Sequence, residues 1–125
     1  MKETDLVREV ISVLRLHGIH AWRCNTGMSI GVYKGKRRAI RFGVPGMSDV
    51  LGIVPPSGRL LAVECKVGRN QVAGEQHEFI RAIRAAGGIA LVVRDSSDRM
   101  MDRINLLKAS TILKEPWPPI EMERP

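Results

Sequence analysis

The sequence predicts an α/β domain that carries a basic β-hairpin. Two segments, at about 3–17 and 71–86, have apolar residues at helical spacing, and they alternate with short apolar segments typical of strands. The chain has 125 residues, 44% of them hydrophobic, which is enough for one domain with its own core. We expect that domain to span residues 1–113, followed by a proline-rich tail over 114–125.

The first half of the chain predicts a helix, a strand and a hairpin. The helix over about 3–17 ends at Gly18, and its apolar stripe comprises Leu6, Val7, Val10, Ile11, Val13 and Leu14. "IHAWRC" is typical of a strand. "SIGVYKGKRRAIRF" predicts a hairpin with Lys34-Gly35-Lys36 at its tip.

The second half predicts three strands and two helices. "GVPGMSD" is a turn-rich loop, and the strand "DVLGIVP" follows it and ends at Pro55-Pro56. The strand "LLAVECKV" precedes a helix over about 71–86, which Gly87-Gly88 stops. "IALVVR" predicts a further strand, and Ser97 is placed to cap a last helix that reaches about Leu113.

Charge and cysteine content restrict the function classes. The chain has 20 Lys and Arg against 13 Asp and Glu, a net charge of +7, which favours polyanionic partners but also occurs in proteins that bind no nucleic acid. Cys24 and Cys65 have neither zinc-site nor disulfide-framework spacing. Without a signal peptide or a bilayer-spanning apolar run, we expect a cytoplasmic protein that does not contact membranes.

The strand "LLAVECKV" carries two charged residues within an apolar run. Successive side chains of a strand point to opposite faces, so one face is formed by Leu61, Val63, Cys65 and Val67. Glu64 and Lys66 share the other face with Ala62. The simplest interpretation is a solvated face with a weak ion pair.

Asp49 suggests a second interpretation of Glu64. It opens the preceding strand, and a short turn between adjacent strands would bring the two carboxylates together. Hard cations such as Mg²⁺ take one or two carboxylates plus waters and phosphates, and the backbone carbonyl of Cys65 could add a ligand. Lys66 could then stabilise charge on a phosphate or help activate a water molecule. An Asp followed by Glu-x-Lys is common by chance, and the Gly-Pro-Gly loop makes it more specific.

Two helical residues also point toward this strand. On a helical wheel, Glu3 lies near the centre of the first helix's apolar stripe, and Gln76 lies near the middle of the second helix's stripe. A carboxylate aimed inward is unusual unless it is paired or binds metal. The alternatives are that Glu3 complements the helix dipole in a frayed first turn, and that Gln76 is a core-edge amide bonded to backbone.

The order acid, acid, acid-x-lysine, amide resembles the PD-(D/E)xK nuclease superfamily, and within it the VRR-Nuc (virus-type replication-repair nuclease) branch. The supporting segments are "HAWRCNTG", "GVPGMSDVLGI", "LLAVECKVGRNQVAGEQHEFIRAIRAAGG" and "IALVV", over roughly residues 3–98. The superfamily's proline before the aspartate is replaced by Ser48. The resemblance implies a restriction-endonuclease-like fold, in which helices flank a mixed sheet that carries the site.

The resemblance also implies Mg²⁺- or Mn²⁺-dependent hydrolysis of DNA. Asp49 and Glu64 would be metal ligands, and Glu3 a ligand directly or through water. Lys66 would stabilise the transition state or orient the water, and Gln76 would position Lys66 or a metal-bound water. Further DNA contacts would come from Arg23 and Asn25.

The hairpin is the expected DNA surface. Five cations lie within eight positions, next to Tyr33: Lys34, Lys36, Arg37, Arg38 and Arg41. A second basic set follows the Glu-x-Lys strand: Arg69, His77, Arg81 and Arg84. Neither set offers a base-reading pattern, so we expect recognition of DNA shape and backbone. The alternative is that charge protects a solvated edge hairpin from aggregation.

Three hypotheses for function follow. The first is a structure-specific endonuclease of a phage or bacterium that acts in repair or recombination on branched DNA. Resolving a four-way (Holliday) junction needs two cuts, so a homodimer is expected. The second is a flap or restriction-like nuclease. The third is a non-catalytic basic module that binds nucleic acid.

Overall fold

The computed structural model describes residues 1–24 and 27–109, with the backbone alone for 27–33 and 37–42. The predictions for Asn25 and for the tail 114–125 lie outside the described residues. In chain order the elements are α1 (Glu3–Leu16), β1 (His20–Arg23), β2 (Gly27–Tyr33), β3 (Lys36–Phe42), β4 (Val50–Val54), β5 (Arg59–Lys66), α2 (Gly74–Ala85), β6 (Ile89–Arg94) and α3 (Met100–Ala109). No helix in the described part of the chain is long and apolar enough to cross a membrane.

The central sheet is mixed, and its strand order is β1-β4-β5-β6. β4 pairs antiparallel with β1 and with β5, while β6 pairs parallel with β5. A parallel pair needs a long crossover, and α2 supplies it between β5 and β6. The α/β class with a mixed sheet flanked by helices is therefore confirmed.

The two faces of the sheet are covered by different helices. On one face α1 and α3 form the larger core with the strands, and Leu61, Val63 and Cys65 of β5 are fully buried there. On the other face Ile80 of α2 packs against Ala62 and the inner side chains of β6. The predicted alternation along β5 is correct, and both faces are covered at the level of α2.

The hairpin forms a separate two-stranded sheet in which Tyr33 pairs with Lys36. Lys34 and Gly35 both have positive φ, 51° and 75°. Two consecutive residues in this region give the tight turn that matches the twist of paired strands. The turn is thus one residue shorter than predicted, because Lys36 already belongs to β3.

The second helix begins at Gly74, three residues later than predicted. Ala73 is extended (φ −68°, ψ 157°), and its N–H donates to Gln76 Oε1 at 2.8 Å. This bond satisfies a donor that would otherwise have no partner at the helix start, and it fixes the boundary. α3 begins after Ser97, whose carbonyl accepts the Met100 N–H at 3.0 Å. The predicted extension of α3 beyond Ala109 lies outside the described residues.

Gly46 lets the loop between β3 and β4 pack on the start of α2. Its φ is +76°, and a Cβ placed there would overlap the backbone carbonyl of Glu75 and lie 2.8 Å from the Gln76 nitrogen. Only glycine fits this contact. The loop that leads into Asp49 is therefore held against the helix that carries Gln76.

A comparison of Gly46→Ala with Gly58→Ala distinguishes the energetic cost of this close contact from the cost of backbone strain. Both glycines have φ +76°, but nothing lies within 4 Å of a Cβ at Gly58. We expect Gly58→Ala to lower the free energy of unfolding by about 1 kcal/mol, and Gly46→Ala to lower it by roughly 2–3 kcal/mol more, a cost typical of overpacking. Urea denaturation measures both, and equal losses would contradict the close packing of the loop on α2.

Candidate active site

Asp49 is fixed at the start of β4 by its neighbours on both sides. Its Oδ2 accepts the Cys65 N–H at 2.8 Å, and its backbone carbonyl accepts the Cys24 N–H at 2.8 Å. The β4–β5 register, Val50 opposite Val63, brings Asp49 level with Glu64. The predicted approach of the two carboxylates is confirmed.

Glu64 and Lys66 are buried, so the interpretation of a solvated ion pair is wrong. Glu64 is 2% exposed and Lys66 9%. The Lys66 ammonium nitrogen lies 3.7 Å from Glu64 Oε1, and Gln76 Nε2 donates to the same oxygen at 2.9 Å. Oε1 of Glu64 therefore has a neutral hydrogen-bond donor, Gln76, and a cationic neighbour, Lys66.

Gln76 is oriented by the start of its own helix. Its amide oxygen accepts the Ala73 N–H, which leaves the amide nitrogen to donate to Glu64. The inward orientation expected from the helical wheel is confirmed. The alternative interpretation also holds in part, because the amide oxygen does bond to backbone.

The second oxygen of Glu64 has no donor. Among the described residues, two buried side-chain oxygens lack a hydrogen-bond partner, Glu64 Oε2 and Ser48 Oγ. Ser48 precedes Asp49 in sequence, and Glu64 lies opposite Asp49 on the neighbouring strand. Burial, the negative charge of Asp49 and hydrogen bonding to the Asp49 carboxyl raise the pKa of Glu64 to about 8, although Lys66 opposes the rise. A proton or a cation must therefore accompany this pair of carboxyl groups.

Glu3 contributes to the same electrostatic environment from the start of α1. It is half-buried, and its negative charge adds to the rise in the pKa of Glu64 and of the Cys65 thiol. Within 1–24 and 27–109, no three His, Cys, Asp or Glu side chains come together to hold a metal ion. Glu3 is thus a charged neighbour of the pair, and its role as a ligand stays a prediction.

The donor set nevertheless fits a hard divalent cation. Mg²⁺ is commonly held by one or two carboxylates, with waters and phosphate oxygens completing its shell. Asp49 and Glu64 supply that pair. The carbonyl of Cys65 lies on the same strand edge as its N–H, which bonds Asp49, so it faces the same region. Glu64 Oε2 supports this fit, because it is a buried acidic oxygen that accepts no hydrogen bond from the described residues and is free to bind a cation.

The basic residues predicted to bind DNA outside the hairpin lie on β1, in the turn after β5 and on α2. Arg23 is exposed at the end of β1, and its positive charge lowers the pKa of the Cys65 thiol, which burial raises. Arg69 is exposed in the turn after β5, His77 is half-buried beside Gln76, and Arg81 is exposed one turn further along α2.

At the hairpin, Lys34 and Lys36 are exposed. The side chains of Arg37, Arg38 and Arg41 lie outside the described part of the structure. Their backbone belongs to β3. The prediction that the hairpin contacts DNA stays a prediction.

Arg84 does not belong to the exposed basic set, and that prediction is wrong. Its side chain is 1% exposed, and its Nε donates to the Ala90 carbonyl at 2.8 Å. Burial lowers the pKa of its guanidinium, with a further contribution from Arg103. Arg84 therefore joins α2 to β6 and is not available to a phosphate.

The sequence interpretation missed the residues that fix the turn after Lys66. Arg94 Nη1 donates to the carbonyls of Gly68 (2.9 Å) and Asn70 (2.7 Å), and the Gly68 N–H donates to Asp95 Oδ1 at 2.7 Å. The Asp95 N–H in turn donates to the Lys66 carbonyl at 3.0 Å. An Arg-Asp pair directly after an apolar strand was the available signal, but its partners lie 24 or more positions away in sequence.

No protein-family model matches this sequence, and no curated protein matches it. The assignment of the site therefore depends on its geometry. In that geometry Gln76 donates a hydrogen bond to Glu64 and Lys66 forms an ion pair with it. Asp49 accepts the N–H of Cys65, the residue next to Glu64, and Glu3 adds negative charge to the site.

The raised pKa of Glu64 predicts how stability depends on pH in a chelator. The ordinary pKa of a glutamate is 4.5, and that of Glu64 in the folded protein is about 8. Between these two pH values the folded protein therefore holds a proton on Glu64 that the unfolded chain has lost. The free energy of unfolding should therefore fall as pH rises through this window, by an amount on the order of a few kcal/mol, and level off above it. Glu64→Gln should remove most of the slope in urea denaturation, and Glu78→Gln, an exposed control on α2, should keep it. An unchanged slope in Glu64→Gln would contradict the assigned protonation.

Proposed function

We propose that this chain is a metal-dependent DNA endonuclease of the VRR-Nuc type, with a restriction-endonuclease-like fold. The observation that carries the proposal is Glu64 Oε2, a buried acidic oxygen that faces a second carboxyl group and has no donor. A site that served only stability would not keep this arrangement, because placing a buried acid beside a second carboxyl group raises its pKa and lowers the stability of the fold near neutral pH. The mixed sheet with helices on both faces supports the same assignment.

In this proposal Asp49, Glu64 and the Cys65 carbonyl hold Mg²⁺ or Mn²⁺, with Glu3 acting through water. The bound ion supplies positive charge that polarises a phosphate and lowers the pKa of a coordinated water. Lys66 stabilises negative charge that develops on the phosphate, since its ammonium group is fixed beside Glu64. Gln76 holds the carboxylate in one orientation through its bond to Oε1.

DNA is the substrate class that fits the charge. The chain carries a net charge of +7, and the Lys66 ammonium lies beside the acidic pair, where a phosphate would approach. The exposed Arg23, Arg69 and Arg81 and the hairpin lysines would contact the backbone of the nucleic acid.

Branched DNA is the proposed substrate structure. One chain has one acidic pair, and a four-way junction requires two cuts, so we propose a symmetric homodimer that resolves junctions in repair or recombination. The cellular setting would be the cytoplasm of a bacterium or of a phage-infected cell. A flap or restriction-like activity would use the same catalytic residues on another DNA structure.

Substitutions in the site test the proposal. Asp49→Asn and Glu64→Gln should abolish cleavage while DNA binding stays within a few-fold, because these carboxylates attract the cation and repel phosphate. Lys66→Met should lower turnover by about 10²–10³-fold, the usual cost of losing one fixed electrostatic donor. Glu78→Gln should cut at the wild-type rate.

The assay measures nicking at saturating Mg²⁺ or Mn²⁺ on a four-way junction, a splayed arm, a flap and a linear duplex of one sequence. We expect the junction to be cut fastest. Cleavage by Glu64→Gln at the wild-type rate would refute the assignment of the active site. Binding that is equal in chelator, with no cleavage of any substrate, would favour a non-catalytic nucleic-acid-binding module.

A further inference from the structure

An aromatic pair lies on the edge strand β1. His20 and Trp22 are two residues apart, so their side chains leave the same face of the strand. Their ring centroids are 5.4 Å apart and the ring planes are tilted by 48°. His20 is exposed and Trp22 is half-buried, so at least part of this pair is open to solvent. The role proposed for the acidic pair does not use it.

The aromatic pair lies on the same face of the sheet as Glu64. Ala21, which lies between His20 and Trp22 in β1, points to the opposite face of the sheet, into the core beneath α1. The register aligns Trp22 with Leu51 and Leu51 with Ala62, and Glu64 follows two residues further along β5. Two strand spacings and two residues of rise separate Trp22 from Glu64, a distance of roughly 12 Å between their backbones.

Apolar side chains continue this surface across the sheet. The register aligns His20 with Ile53 and Ile53 with Leu60, and these two aliphatic residues are 43% and 38% exposed. α2 packs on β5 and β6 of this face. We name the set of His20, Trp22, Ile53 and Leu60 the β1–β4 patch; it extends from β1 across β4 to Leu60 at the start of β5.

We propose that the β1–β4 patch binds an unpaired nucleobase of DNA, next to the phosphate held at the acidic site. This inference rests on the proposed function and specifies the substrate that it takes. An unstacked base offers a flat apolar face, and exposed aromatic rings stack on such faces without regard to sequence. The polar edges of the base and its backbone remain in water.

Charge and position favour a nucleic acid over an uncharged partner. The patch lies in a chain of net charge +7. Lys66 projects from the same sheet face as Trp22, at the acidic site. A DNA strand that places a phosphate near Lys66 can therefore reach the patch with a neighbouring nucleotide. A base inside an intact duplex has both faces stacked, so the patch would select DNA with unpaired nucleotides at a branch.

Trp22 provides its own reporter for this contact. The chain has two tryptophans, and Trp117→Phe leaves Trp22 as the sole indole. In EDTA, where no cleavage occurs, a splayed-arm DNA with thymine arms should quench Trp22 fluorescence, and a blunt duplex of the same stem should not. In the same background, Trp22→Leu should weaken splayed-arm binding by about 5- to 100-fold, and Trp22→Phe should restore most of it, since stacking needs an aromatic face.

Leu106→Ala is the matched control outside the patch, because it removes exposed apolar area from α3 and no ring. It should change splayed-arm binding by less than threefold, and thermal melts establish that each variant is folded. Absence of quenching by splayed-arm DNA, or equal binding by folded Trp22→Leu and Trp22→Phe, would overturn the inference. Conversion of a dimer to monomer by Trp22→Leu or Ile53→Ala would also overturn it, because the patch would then be a surface for a second copy of the chain.

The proposed function and this inference fail in different assays. Quenching in EDTA without cleavage in Mg²⁺ would refute the nuclease and support base binding. Cleavage with no quenching would support the nuclease and refute base binding.

Discussion

The carboxyl groups of Asp49 and Glu64 meet at the start of β4 and the end of β5, with too few hydrogen-bond donors for their oxygens. Glu64 Oε1 is paired with Gln76 and Lys66, and Asp49 Oδ2 with the Cys65 N–H. Glu64 Oε2 has no partner among the described residues. Repulsion between the two negative charges is costly in the low dielectric of the interior. The protein therefore requires a proton or a cation between Asp49 and Glu64.

Several distant segments are arranged to hold this pair in place. Gly46 closes the loop before Asp49 against the start of α2, and that start orients Gln76 through the Ala73 N–H. Behind Lys66, Arg94 and Asp95 fix the turn that leads toward α2. The acidic site is therefore built on strand ends and a helix start, with bonds that limit the movement of each side chain.

The sequence predicted the parts of the site that depend on periodicity. Alternation along β5 predicted that Glu64 and Lys66 share one face, and the helical wheel predicted that Gln76 points toward that face. Alternation could not establish that this face is buried, because burial depends on α2 packing over it. The same limit explains Arg84, whose helical position fitted a basic stripe while its guanidinium bonds to β6. Glycine at position 46 suggested a turn, but its contact with Glu75 is tertiary.

The most direct test of the account is Mn²⁺ binding by calorimetry in buffers of different ionisation enthalpy. If Glu64 holds a proton until a cation replaces it, a single Mn²⁺ should bind per chain at pH 7 and release most of one proton. At pH 9 the release should fall toward zero, and Glu64→Gln should lose the proton release together with most of the affinity. Failure of the wild-type chain to bind Mn²⁺, or binding at pH 7 without proton release, would contradict the account.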